Sequence, residues 1–143
     1  MPNLISKVEL RNLQIEDYKE LKKSMIEAYP EMVNSYWKED HIEKLLELFP
    51  EGQLVIVADG VVVGSALSIL VTEDFAFKTK TYKSITGNYT FSTHNPKGEV
   101  LYGIDVFINP KYRGLRLGRR LYDSRKELCE QLNLKSIIFA GRI

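Results

Sequence analysis

Apolar residues recur along the chain with two different periods, and the switches between them mark out the elements. Val8 to Leu13 reads as a short strand. Tyr18, Leu21, Met25 and Ala28 then recur at helical spacing, with Glu16 and Asp17 near the N-terminal end, where carboxylates suit the helix dipole. Ile42, Leu45, Leu46 and Phe49 form one apolar stripe and predict a second helix over Glu39–Leu48. The link between the two helices, from Tyr29 to Trp37, carries three large aromatics: Tyr29, Tyr36 and Trp37.

Downstream the period shortens. Gln53–Ala58 predicts a strand, Asp59-Gly60 a tight turn of two residues with positive φ, and Val61–Val71 the returning strand. Residues 73–98 are polar and rich in turn pairs (Gly87-Asn88, Asn95-Pro96), and Tyr89–Phe91 is a short β segment able to extend a hairpin. That stretch is long for a plain connection, which suggests mobility or function. Val100–Ile108 is a further strand, ended by Asn109-Pro110. A helix is expected from near Gly114 to about Leu132, with Leu117, Leu121, Leu128 and Leu132 on one face, then a last strand over Lys135–Ala140. The order β-α-α-β-β-β-α-β predicts an α/β (α+β) mixed sheet: an antiparallel meander, then a β-α-β crossover, with helices on both faces.

Composition narrows the class without naming a function. The 143 residues predict a single domain over 1–143, and a 44% hydrophobic content is enough to build a core. One cysteine excludes an internal disulfide, and two distant histidines, His41 and His94, give a metal site little support. The longest uncharged stretch, Val61–Thr72, is shorter than the ~20 apolar residues that span a bilayer. The start lacks the apolar core of a signal peptide, so a cytoplasmic protein with no membrane partner is expected. The net charge is only +1, but its distribution is uneven. Lys111, Arg113, Arg116, Arg119, Arg120, Arg125 and Lys126 stand against Asp123 alone. One basic block in a near-neutral chain suits a localised anion, not general nucleic-acid binding.

That block sits where a strand meets a helix. The first turn of a helix has free N–H groups and the positive end of the dipole, so phosphate fits there. Gly114 and Gly118 leave the backbone open to close approach. Arg113, Arg116, Arg119 and Arg120 crowd the end of the helix that they destabilise electrostatically, which a bound anion would explain. The competing reading is a solvated basic face with incidental glycines.

The stretch Val106-Phe-Ile-Asn-Pro-Lys-Tyr-Arg-Gly-Leu-Arg-Leu-Gly-Arg-Arg-Leu resembles the acyl-CoA-binding motif of the GNAT acyltransferases, Q/R-x-x-G-x-G/A after V-x-P-x-Y. Arg113 matches the first position and Gly118 the last, while Arg116 replaces the middle glycine. The order of elements from Val8 to Ala140 also resembles this family. The resemblance implies a GNAT-like acyl-CoA N-acyltransferase fold with acetyl-CoA as acyl donor and an unknown amine as acceptor. In the family, one strand splays from the next and the pantetheine arm lies in the gap. Carried over, Val106, Phe107 and Ile108 would hold the arm, with Ser136–Ala140 as the departing strand. Arg113, Gly114, Leu115, Arg116, Leu117, Gly118 and Arg119 would surround the diphosphate, and backbone amides would do most of the binding. Tyr102–Arg142 is similar, more narrowly, to GNAT-like domains that precede a carbon–nitrogen hydrolase (nitrilase-like) domain. The chain stops at Ile143, where the family continues with another helix and closing strands. A C-terminally truncated domain is therefore expected, with an open sheet edge that can pair with a second copy as a homodimer.

Within this reading Asp105 is the candidate general base, placed after Gly103 on the same strand face, with a purely structural aspartate as the alternative. Glu99 is a weaker candidate. Tyr122 is assigned to packing and no general acid is assigned. Tyr36 and Trp37 are either an acceptor wall or packing. His41 is read as a helix-surface residue, His94 as a turn residue, Cys129 as a small buried hydrophobe, and Glu39, Glu43 and Glu47 as a solvated face. The Asn88-Tyr-Thr90 sequon carries no weight without a secretory signal. Two functions remain in play: an acyl-CoA-dependent N-acyltransferase, and a non-catalytic CoA-binding or structural module of a larger carbon–nitrogen hydrolase protein.

Overall fold

The apolar run from Leu54 to Val71 folds back on itself at Asp59-Gly60, whose φ angles of 48° and 87° are the two positive values such a tight turn needs. Around this hairpin the rest of the sheet is laid down. A computed structural model describes residues 7–30, 37–78, 86–87, 90–112 and 116–139. Its strands are β1 (Val8–Asn12), β2 (Leu54–Ala58), β3 (Val61–Val71), β4 (Val100–Ile108) and β5 (Ser136–Phe139), in the spatial order β1-β2-β3-β4-β5. The first four run antiparallel and β5 lies parallel to β4. The main helices are α1 (Tyr18–Ala28), α2 (Glu39–Leu48), α3 (Glu73–Lys78) and α4 (Leu117–Gln131).

Helices cover both faces, as the pattern predicts. Val55 and Val57 of β2 point into a core with Leu21 and Met25 of α1 and Ile42 and Leu45 of α2. The alternate residues Leu54, Ile56 and Ala58 pack with Leu117 and Leu121 of α4. Leu128 and Cys129, further along α4, meet Leu70 and Leu101. Sandwiching explains why β2 and β3 are apolar on both sides, every residue but Val61 being buried. Gln53 is fully buried and ties the sheet to α2: its Nε2 donates to Phe49 O (2.8 Å) and Ser68 O (2.7 Å), and its Oε1 accepts from Ser68 N–H (3.0 Å).

Residues 73–98 differ from their turn-rich reading. Glu73–Lys78 form the short helix α3, closed at its start by Thr72 Oγ1 accepting from Phe75 N–H (3.1 Å) and by Glu99 Oε1 accepting from Glu73 N–H (2.7 Å). Phe75 and Ala76 pack on the core, which selects this helix although six residues are too few to be stable alone. Phe91 belongs to no strand; it is fully buried with φ 60°. Asn88 and Tyr89 lie outside the described residues. No helix among the described residues is long and apolar enough to cross a membrane.

Candidate active site

β4 is closed off by Asn109, whose N–H donates to Val63 O (2.7 Å) and whose Oδ1 accepts from Lys111 N–H (3.0 Å). A single turn of 3-10 helix over Pro110–Tyr112 follows, as an Asn-Pro strand stop requires. Arg113, Gly114 and Leu115 lie outside the described residues. The helix begins at Leu117, three residues later than the expected start near Gly114. The reason is Arg116, which sits at the N-cap in the left-handed region (φ 59°, ψ 25°) and so cannot be part of the helix. This is also a physical reason for glycine at the corresponding position of the motif: only glycine adopts that conformation without strain.

The start of α4 has no side-chain cap and no acidic residue in its first turn. Gly118 is exposed, and a Cβ built on it would meet nothing within 4 Å. No neighbour among the described residues requires a glycine there. Arg116, Arg119 and Arg120 are exposed around it, Arg119 bonding Asp123 at 3.2 Å. The helix start thus offers uncapped amides, open space and cations, a combination that fits a diphosphate. The basic block is narrower than its sequence suggests. Lys111 is held by Glu27 (2.7 Å), the bond that pulls the Glu27 carboxyl below its usual range. Arg125 points inward and is buried at 1% exposure against Gly103, where desolvation pulls its pKa down to about 10.

The second feature is the divergence of β4 from its neighbours. β5 pairs with β4 from Val100 to Gly103 only, and Ile104–Ile108 run on beyond the described part of β5. On the other side, Leu67 faces Asp105 and Ser68 faces Gly103, so Ile104 is an extra residue in a β-bulge. The bulge corrects one expectation. Gly103 faces Arg125 of α4, whereas Asp105 turns to the α1–α2 side, so the two do not share a face. An inserted residue breaks the two-residue alternation that the expectation assumed.

Asp105 is buried at 2% exposure. Trp37 Nε1–H donates to its Oδ2 (3.0 Å), and the Tyr29 hydroxyl lies 3.1 Å from its Oδ1 and 3.3 Å from Val106 O. Phe107 is buried on the same side, edge-on to the Tyr29 ring at 5.9 Å between centroids. Val106 and Ile108 are half-buried on the opposite face, beside Leu117 and Leu121. The bulge therefore sends Asp105 and Phe107 to one face and leaves Val106 and Ile108 facing the helix that carries the candidate anion site.

Other candidates resolve into structural roles. Glu99 caps α3, and the bond from the Glu73 backbone lowers its carboxyl pKa. His94 accepts from Leu70 N–H (3.0 Å) and stacks on Phe49, so it pins its loop; burial lowers its pKa. His41 is half-buried, not a plain surface residue: it accepts from Lys38 N–H (3.0 Å) and stands edge-on to Trp37. Tyr122 is 45% exposed and does not pack as expected, because its position falls outside the Leu117–Leu121–Leu128 stripe. Cys129 is buried, and burial pushes its thiol pKa up. Glu39, Glu43 and Glu47 are exposed. Trp37 is core packing and a partner of Asp105 at once, while Tyr36 lies outside the described residues. The residue that sequence reasoning missed is Tyr29; its signal was the aromatic-rich link after the first helix.

A model described as the acetyltransferase (GNAT) family matches residues 18–142. "Probable hydrolase YhcX" of Bacillus subtilis (strain 168) is 39% identical over 137 residues, covering 96% of this chain and 26% of that protein. "Uncharacterized N-acetyltransferase YkwB" of the same organism is 31% identical over 107 residues, covering 75% of this chain and 47% of that protein. The chain thus spans about a quarter and about half of these two relatives. Among solved structures, the loading GNATL domain of CurA from Lyngbya majuscula superposes with a TM-score of 0.78 at 21% identity, covering 94% of this chain and 64% of that one. A GphF GNAT-like decarboxylase in complex with isobutyryl-CoA gives a TM-score of 0.69 at 17% identity, covering 87% and 58%.

Proposed function

The chain belongs to the acetyltransferase (GNAT) family, and from that premise we propose that it is an acyl-CoA-dependent N-acyltransferase, moving acetyl from acetyl-CoA to an amine. The observation that carries the reading is the start of α4: an uncapped helix terminus among exposed arginines, with a glycine whose missing side chain leaves open space. Amides of Leu117, Gly118 and Arg119 would hold the diphosphate, with Arg113, Gly114, Leu115 and Arg116 as further binding residues. The arm would lie along Val106–Ile108, where β4 runs past its pairing with β5. A bound acyl-CoA supplies an activated thioester carbonyl.

The chemistry asked of the protein is then orientation and proton removal. The amine nitrogen attacks the carbonyl carbon, the N–C bond forms, the C–S bond breaks, and CoA departs as its thiol once a proton is returned. Asp105 is the proposed base, and a backbone N–H at the bulge would polarise the carbonyl oxygen. In this reading the chain acts as one domain over 1–143 in the cytoplasm, with no nucleic-acid or membrane partner and with homodimer formation through an open sheet edge.

A second reading has its own support. Arg116 occupies a left-handed position where the motif has glycine, and the relative named as a hydrolase is matched over only 26% of its length. A CoA-binding or structural module preceding a carbon–nitrogen hydrolase domain would suit both facts. Calorimetry with acetyl-CoA and a thiol-release assay over spermidine, glucosamine phosphate and an alanine-ended peptide separate the two. Binding with turnover supports the transferase, and binding without it supports the module. G118A tests the site itself. Alanine is the better helix former by ~1 kcal/mol, so the variant is expected to be more stable, yet to bind acetyl-CoA at least ~10-fold more weakly. Unchanged affinity in a folded G118A removes the diphosphate site from α4.

A further inference from the structure

Asp105 raises a problem of access. At 2% exposure its carboxylate cannot meet an incoming amine directly. Two of the described residues that bond to it, Trp37 and Tyr29, differ in chemistry. The Trp37 indole N–H is a donor only; it can steady a carboxylate but cannot receive a proton. Trp37 is itself buried at 3% exposure. The Tyr29 hydroxyl is donor and acceptor, and Tyr29 is half-buried. It stands at the C-cap of α1, leaving the helix with its N–H still bound to Met25 O (2.8 Å). From there the hydroxyl reaches Asp105 Oδ1 (3.1 Å) and Val106 O (3.3 Å) across the bulge.

We propose that Tyr29 is a catalytic residue, the hydroxyl through which the acceptor amine's proton reaches Asp105. This rests on the acyltransferase reading above. As the N–C bond forms, the amine proton passes to Tyr29 Oη while the hydroxyl's own proton passes to Asp105 Oδ1. Tyrosine stays neutral throughout, and Asp105 ends protonated. The Val106 carbonyl is the second acceptor this exchange requires. When Asp105 carries a proton it donates to the phenol oxygen, and the hydroxyl swings its new proton to Val106 O. Asp105 then releases its proton by the same route, while the departing thiolate takes one from solvent, so the cycle closes without net gain. Trp37 is a positioning residue that holds Oδ2 so that Oδ1 faces Tyr29.

The experiment compares Y29F, D105N and, as a control on the exposed face of α4, Y122F. Readouts are kcat for the best amine of the panel, acetyl-CoA affinity by calorimetry, and thermal melting. The expected result is a kcat lowered about 100-fold in Y29F and D105N, acetyl-CoA affinity within about twofold of wild type in both, and no change in Y122F. Loss in D105N with Y29F at the wild-type rate overturns the relay and leaves Asp105 as base. Wild-type rates in both overturn Asp105 as well. Binding of acetyl-CoA without transfer to any amine overturns the transferase reading and the relay with it. Should Y29F fail to fold, a proton inventory on the wild-type chain decides. A bowed dependence of rate on deuterium content, from two protons in flight, supports the relay, and a straight line overturns it.

Discussion

Replacing Arg116 with glycine tests the link between the left-handed turn and the function of the helix it starts. Arg116 is held at φ 59°, ψ 25°, is exposed, and makes no side-chain cap bond to α4. A side chain with a Cβ costs about 1–2 kcal/mol in that region. Glycine gives back about 0.5–1 kcal/mol through its greater freedom in the unfolded chain. The net gain expected for R116G is therefore about 1 kcal/mol, or about 3 °C in Tm for a chain of this size. R116A keeps the Cβ and is expected to melt close to wild type. The pair is read by thermal and urea unfolding, with acetyl-CoA affinity measured in parallel. Affinity in R116G is expected to fall by less than about fivefold, the worth of one exposed ion contact, since in the proposed site backbone amides would make the main contacts. Equal stabilisation by R116A and R116G would refute the strain argument, since only one of them removes the Cβ. A collapse of affinity in R116G would mean that the guanidinium, not the backbone, grips the diphosphate.

G103A places a methyl against Nη2 of the buried Arg125, whose side chain must shift to make room; a loss of about 1–3 kcal/mol is expected in denaturant unfolding. Q53L strands the Ser68 N–H and takes a donor from the Ser68 carbonyl, while the Phe49 carbonyl keeps the Gly52 N–H, and it is expected to cost about 2 kcal/mol by the same measurement. Asp17 is bound by Arg11 at 2.8 and 2.9 Å, and that bond holds its carboxyl below the usual value of 3.8. A lowered folded pKa means the stabilisation is full above the unfolded pKa and is lost as pH falls through the folded one. D17N is accordingly expected to be less stable than wild type by about 1 kcal/mol at neutral pH, with the gap closing in acid. A gap that persists in strong acid would refute the ion-pair account.

Residue spacing, with the conformational limits of single residues, fixed the order of the elements other than α3, the tight turn at Asp59-Gly60 and the two-faced burial of the central strands. It also located the strand-to-helix turn. What it could not supply depends on contacts between distant residues or on one extra residue in a ladder. Tyr29 and Trp37 meet Asp105 across 76 and 68 positions of chain, and no local period encodes that meeting. The bulge at Ile104 reverses the face of Asp105 relative to Gly103, and only the register with β3 reveals it. Arg125 reads as one more cation of a basic block until packing turns it inward against a glycine. Local preference sets which elements form; which side chains face one another is settled only when the sheet is assembled and its faces are covered.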